Sequence, residues 1–144
     1  MLAISGSALA AERQRSEVIA TNMANAETTR TDEGGPYRRR QVVFSAPGSS
    51  AFRLAFASST QHMLGPTRGS VRISQVLSDE SEPAMRYEPG HPDANEKGFV
   101  AYPNINPVQE MVDLMGSVRA YQLNASAVAA FKQMIQGSID ILKS

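Results

Sequence analysis

The chain has 144 residues, long enough for one folding unit, and its fourteen basic and fourteen acidic side chains cancel, which removes the long-range field of a general nucleic-acid binder or membrane-surface protein. Cysteine is absent, so disulfides, thiolate metal sites and cysteine nucleophiles are excluded, and with aromatics at 6% and no tryptophan any core is built from Ala, Val, Leu, Ile and Met. No stretch approaches the roughly 20 apolar residues of a membrane span.

The start of the chain lacks the pattern of a cleaved secretory signal, because Glu12, Arg13 and Arg15 interrupt its apolar run early. Export, if it occurs, is expected by a route without such a signal. From Leu2 to Ala26 apolar residues recur at spacings of three and four. Ala8, Ala11, Val18 and Asn22 form one stripe, and Leu9, Ile19, Met23 and Ala26 lie beside it. The helix is expected to fade near Asn25, since asparagine tolerates the left-handed conformation at a helix end and Thr28, Thr29, Thr31, Gly34, Gly35 and Pro36 follow.

Short strands and turns fill the middle. Arg39–Ser45 carries Val42, Val43 and Phe44; Phe52, Leu54 and Phe56 alternate with Arg53 and Ala55; Val71 and Ile73 alternate with Arg72 and Ser74. Turns are expected at Pro47–Ser50 and Gly65–Pro66, a polar acidic loop at Ser78–Pro83, and further extended pieces at Met85–Tyr87 and Phe99–Tyr102.

After Pro103 and Pro107 the helical rhythm returns. Val108, Met111, Met115, Val118, Gln122, Ala125 and Ala129 keep it first, then Val128, Phe131, Ile135, Ile139 and Leu142 on a neighbouring sector. About 35 such residues span on the order of 50 Å, and the drifting stripe points to burial against several partners in a bundle. An ordinary helical hairpin in a monomer is the plain alternative. The expected fold is α+β: long N- and C-terminal helices (1–27 plus 107–144) paired as a coiled-coil-like stalk, with a central loop and small β-rich insert (28–106).

Several stretches resemble a known family. Ser7–Gln14 leading into Ile19-Ala20-Thr21-Asn22-Met23-Ala24-Asn25-Ala26-Glu27-Thr28 is similar to the N-terminal signature of the flagellar rod, hook and axial proteins, in which an Asn-aliphatic-Ala-Asn-Ala element closes the first helix. Pro36–Phe44, Tyr87–Asn95, Gly98–Asn106, Glu110–Asp113 and Arg119–Asn124 look like segments of its proximal-rod members. The match covers residues 1–44 and 87–144; Ser45–Pro83 falls where the family has a variable insert.

The resemblance implies a bacterial flagellar basal-body component, exported through the flagellar type III apparatus without a cleaved signal and assembled in the periplasm. Its implied partners are copies of itself, other flagellar rod proteins and the membrane (MS) ring protein, and its implied task is to transmit torque from that ring to the distal rod and hook. No nucleic acid, small-molecule substrate or cofactor is implied. Leu9, Val18, Ile19 and Met23 are then expected to pack against Val118, Ala125, Val128, Ile135 and Ile139, within or between subunits. Before assembly both termini would be labile.

Asn22 and Asn25 read most simply as a helix-end device, otherwise as hydrogen-bonding groups between subunits. Tyr121 is expected at a packing or rim position of the interface. Arg38, Arg39 and Arg40 read as a solvated strand edge, or as partners for acidic groups on a neighbour. Met111, Met115 and Met134 read as core filling. His62 and His91 have no spacing that pairs them with a further ligand for zinc. No Gly-x-Ser-x-Gly element, carboxylate pair or Walker-type loop supports an enzyme, such as a cell-wall hydrolase. A free-standing helical adaptor or export chaperone is the remaining alternative; it would be a stable oligomer of defined size.

Overall fold

The computed structural model describes residues 2–46 and 70–143. The order of elements is helix α1 (Leu2–Ala24), strands β1 (Arg40–Ser45), β2 (Arg72–Ser78), β3 (Ala84–Tyr87) and β4 (Phe99–Tyr102), and helix α2 (Pro107–Lys143). Among the described residues the fold is α+β, two terminal helices enclosing two small antiparallel sheets. The expected strand at Phe52–Phe56, the turns at Pro47–Ser50 and Gly65–Pro66, and His62 lie outside the described residues.

α1 is free of proline and rich in Ala, Leu, Met, Glu and Arg, residues that lose little freedom in a helix. It ends in one place for a local reason. The Asn25 backbone N–H and side-chain Nδ2 both donate to the Thr21 carbonyl (3.1 and 2.9 Å), and the Thr28 hydroxyl donates to Asn25 Oδ1 (3.1 Å). The left-handed residue expected at Asn25 is not there: among the described residues only glycines, Gly34, Gly35 and Gly98, have positive φ. Side-chain capping of the last turn does that work instead.

The chain then reverses. Gly34 and Gly35, at φ of 87° and 77°, make the turn, and the Tyr37 N–H closes the loop on the Thr28 carbonyl at 3.0 Å. β1 is thereby returned alongside α1 and pairs antiparallel with β2, Arg40 opposite Ser78 and Ser45 opposite Arg72, with a bulge at Val43/Phe44. Contacts between this sheet and α1 include the Val71 N–H, just before β2, which donates to Ser7 Oγ at 3.0 Å, and the Arg15 guanidinium, 6.0 Å from the centre of the Phe44 ring. β3 pairs with β4 antiparallel, Ala84 opposite Tyr102 and Tyr87 opposite Phe99.

β4 runs straight into α2 through Pro103–Asn106. Asn106 caps the helix, its Oδ1 accepting from the N–H groups of Val108 (3.0 Å) and Gln109 (3.4 Å), and Pro107 occupies the first helical position, where its missing donor costs nothing. Among the described residues the buried apolar ones are few: Ala11, Ile19, Tyr37, Val100, Tyr102 and Pro103. Among the described residues no helix is long and apolar enough to cross a membrane.

Candidate assembly site: the helix seam and its polar lock

Where α1 meets α2, the buried side chains that α2 contributes are polar, and Asn22 joins them from α1. Asn22 is 1% exposed and uses all four of its hydrogen-bonding valences. Its Nδ2 donates to the Arg40 carbonyl (2.8 Å) and to Glu110 Oε2 (3.1 Å), while its Oδ1 accepts from the Arg40 N–H (2.9 Å) and the Tyr37 hydroxyl (3.1 Å). One side chain thus ties the end of α1 to the start of β1 and the first turn of α2. Glu110, also 1% exposed, accepts at Oε1 from Arg39 Nε at 2.6 Å, and Arg39 reaches on to Asp113 at 3.6 Å. A carboxylate in the first turn of a helix also meets its positive dipole end. Burial pushes the Tyr37 phenol above its ordinary 10.0; Arg40 opposes the shift and Glu110 adds to it.

Two turns further on, Ser117 is 0% exposed. Its hydroxyl lies 2.7 Å from Ser16 Oγ and donates to the Glu12 carbonyl at 3.0 Å. Asn22 level with Glu110 and Ser16 level with Ser117 make the helices antiparallel. Carried to Leu2, this pairing ends near position 130. About the last 13 residues of α2, on the order of 20 Å, therefore project past the start of α1. Every residue from Lys132 to Leu142 is exposed.

The residues expected from sequence divide accordingly. Ile19 and Asn22 are buried in the seam. Leu9, Val18, Met23, Asn25, Ala125 and Val128 are half-buried. Val118, Tyr121, Ile135 and Ile139 are exposed in the single subunit, Ile135 by 43%. Met111, Met115 and Met134 are exposed as well, which corrects their reading as core filling: they lie on faces of α2 that α1 does not cover. Asn25 is the helix-end device expected, whereas Asn22 is an internal tie. The arginine run divides too, with Arg39 turned inward to Glu110 while Arg38 and Arg40 are exposed.

Glu110, Ser117 and Tyr37 were not legible as site residues, and Arg39 was read only as a solvated edge or a partner for acidic groups on a neighbour, not on its own chain. The available signal was local: a single carboxylate four residues after a capping asparagine, and strand alternation that turns one of three successive arginines inward.

A second cluster fastens the β3–β4 loop to the segment that follows α1. The Thr29 hydroxyl donates to Asp93 Oδ2 at 2.8 Å, Arg30 lies 3.8 Å from the same carboxylate, and the Asp93 N–H donates to His91 Nδ1 at 3.1 Å. Behind it the Tyr102 hydroxyl donates to Glu88 at 2.9 Å, and Arg86 stacks 4.5 Å from the Tyr102 ring centre. These are fastenings. Among the described residues, no group of three or more His, Asp or Glu side chains converges as a metal site requires.

Comparison with known proteins fits a seam of terminal helices. Residues 2–30 match the family described as flagella basal body rod protein, and residues 96–141 match flagellar basal body rod FlgEFG protein C-terminal. The chain is 38% identical to the flagellar basal-body rod protein FlgC of Bacillus subtilis (strain 168), over 99% of this chain and 96% of that one. It is 34% identical to FlgC of Borreliella burgdorferi, over 97% and 94%, and 37% identical to FlgC of Escherichia coli O6:H1, over 92% and 88%.

Proposed function

The chain belongs to the FlgC family of flagellar basal-body rod proteins, and from that premise we propose that the exposed stripes of α2 are the surfaces through which it joins its neighbours. As a structural subunit of the basal-body rod it works by contact. The single observation that carries the reading is the apolar exposure of α2, where Met111, Met115, Val118, Tyr121, Leu123, Met134, Ile135 and Ile139 are all open in one subunit. Fully burying one such aliphatic side chain contributes roughly 1.5–3 kcal/mol, against about 0–1 kcal/mol for a surface ion pair. Apolar packing then sets the strength of assembly.

On this reading residues 1–27 plus 107–144 form the assembling part, a coiled-coil-like stalk, and 28–106 the insert it carries. A head-to-side contact that does not close builds a helical tube, here from copies of the chain and other rod proteins. Passage through the flagellar type III export apparatus precedes assembly in the periplasm. The finished tube carries torque from the membrane (MS) ring protein toward the distal rod and hook.

Ile135→Asp tests this directly, because Ile135 lies beyond the start of α1 and its change spares the seam. The substitution forfeits a buried aliphatic contact and asks the neighbour to desolvate a carboxylate, which costs several kcal/mol more. Expected are normal expression, loss of the subunit from isolated basal bodies and loss of swimming. Full incorporation and motility would refute the assignment of this surface. Val128→Asp is expected to act in the same direction, with an added folding cost because Val128 is half-buried.

A further inference from the structure

We infer that Glu110 and Ser117 set the axial register of α1 on α2, and through it the length of α2 that projects. Among the described side chains of α2 these two are the buried ones, and both are polar. Opposite them α1 presents Ala11 and Ile19, with half-buried Ala8, Leu9 and Val18 around them. A surface of small and half-covered aliphatic groups meets its partner nearly as well after sliding by a turn. Hydrogen bonds do not survive such a slide: one turn is about 5.4 Å, which takes each of these contacts out of reach.

Two rungs specify more than one. Six residues separate Asn22 from Ser16 on α1, and seven separate Glu110 from Ser117 on α2, so both rungs close together in the observed alignment. After a one-turn slip Glu110 would leave Asn22 and Arg39, and Ser117 would leave Ser16 and the Glu12 carbonyl. Buried polar groups at a helix interface fix register in this way, at a cost in strength relative to apolar packing. The overhang follows, since a 37-residue helix paired with a 23-residue one can expose its surplus at either end, and the rungs place it beyond the start of α1. The register stands on the isolated subunit; the use of the overhang rests on the assembly reading above.

Because the chain has no native cysteine, two can be introduced at exposed positions, Ala20→Cys on α1 and Ser126→Cys on α2, and spin-labelled for pulsed dipolar distance measurement on the full chain. The parent is expected to give one narrow distance. In Arg39→Met/Glu110→Met/Ser117→Ala the ion pair is replaced by apolar side chains of similar length and the serine rung is removed. Helical circular dichroism is expected to persist while the distance splits or moves by about 5 Å. In Val128→Ala, which thins the apolar packing and leaves both rungs in place, the single parental distance is expected to remain.

An unchanged narrow distance in the triple variant overturns the inference, since packing would then hold the register. Loss of helical signal in that variant overturns it too, by making the rungs carriers of stability. So does a moved distance in Val128→Ala, or a parent without one preferred distance. None of these results bears on rod incorporation, which Ile135→Asp reads separately.

Discussion

Asn22→Ala is the substitution whose cost the structure specifies most fully. It removes four hydrogen bonds at once and leaves behind the Arg40 N–H, the Arg40 carbonyl, the Tyr37 hydroxyl and Glu110 Oε2. A buried polar group left without its partner costs about 1–3 kcal/mol. The lower end applies here, because a cleft lined by Arg15, Val18, Gln41, Val42 and Asp113 opens beside Asn22 and admits water into the space alanine vacates. The expected loss is about 4 kcal/mol for the four groups together. For a chain of this size that lowers the midpoint of thermal unfolding by about 10 °C. Far-UV circular dichroism during heating measures it.

Asn25→Ala is the internal control. It sits three residues on in the same Asn-Met-Ala-Asn element, but its bonds to Thr21 and Thr28 lie where water can replace them. Its expected cost is about 1 kcal/mol or less. Equal losses at the two asparagines would refute the reasoning, because they would mean that burial and partner number do not distinguish a tie from a cap.

Three further outcomes are expected. Gly98 lies at φ +80°, and a Cβ there would meet Tyr87 Cε2 at 2.9 Å and Pro89 Cβ at 3.2 Å, so Gly98→Ala should loosen the β3–β4 hairpin by about 1 kcal/mol or more, read as faster exchange of the Glu88 amide, which donates to the Gly98 carbonyl; unchanged exchange would count against it. Since burial raises the Tyr37 phenol above 10.0, the stability it contributes is full below pH 10 and lost as pH rises through the raised folded-state value, and Tyr37→Phe should flatten that alkaline decline in a stability–pH series; an identical decline would contradict it. Trypsin acting on the isolated subunit should cut after exposed Lys132, on the overhang, before exposed Arg13 on paired α1, and co-assembly should slow the first cut; the reverse order would contradict the pairing.

The elements were legible because their signals are local. α2 announces itself through Asn106-Pro107 and an unbroken three-four rhythm, and β4 runs over Phe99–Tyr102 as the β-favouring Phe99, Val100 and Tyr102 imply. The helix end at Asn25 was placed correctly and explained wrongly: asparagine at such a position offers either a left-handed backbone or a side chain, and the chain uses the side chain. What was illegible is non-local. Nothing in Arg38-Arg39-Arg40 tells that the middle guanidinium finds a glutamate 71 residues away, and nothing in the first helix tells that Asn22 rather than Asn25 turns inward.

That misreading has a physical content of its own. Sequence periodicity places apolar residues inside and polar ones outside, and along α2 the single subunit inverts this: Glu110 and Ser117 are covered while Met134, Ile135 and Ile139 are open. In a self-contained hairpin such an inversion would be a fault, since the rungs contribute specificity and the apolar stripe contributes the attraction. In a subunit that works inside a wall of its own kind the two tasks separate. The rungs need only hold one alignment in the free chain. On the assembly reading proposed above, the stripe stays available until a neighbour covers it, and the strength of the structure would then be supplied at the moment of assembly, in proportion to the length of helix the alignment leaves exposed.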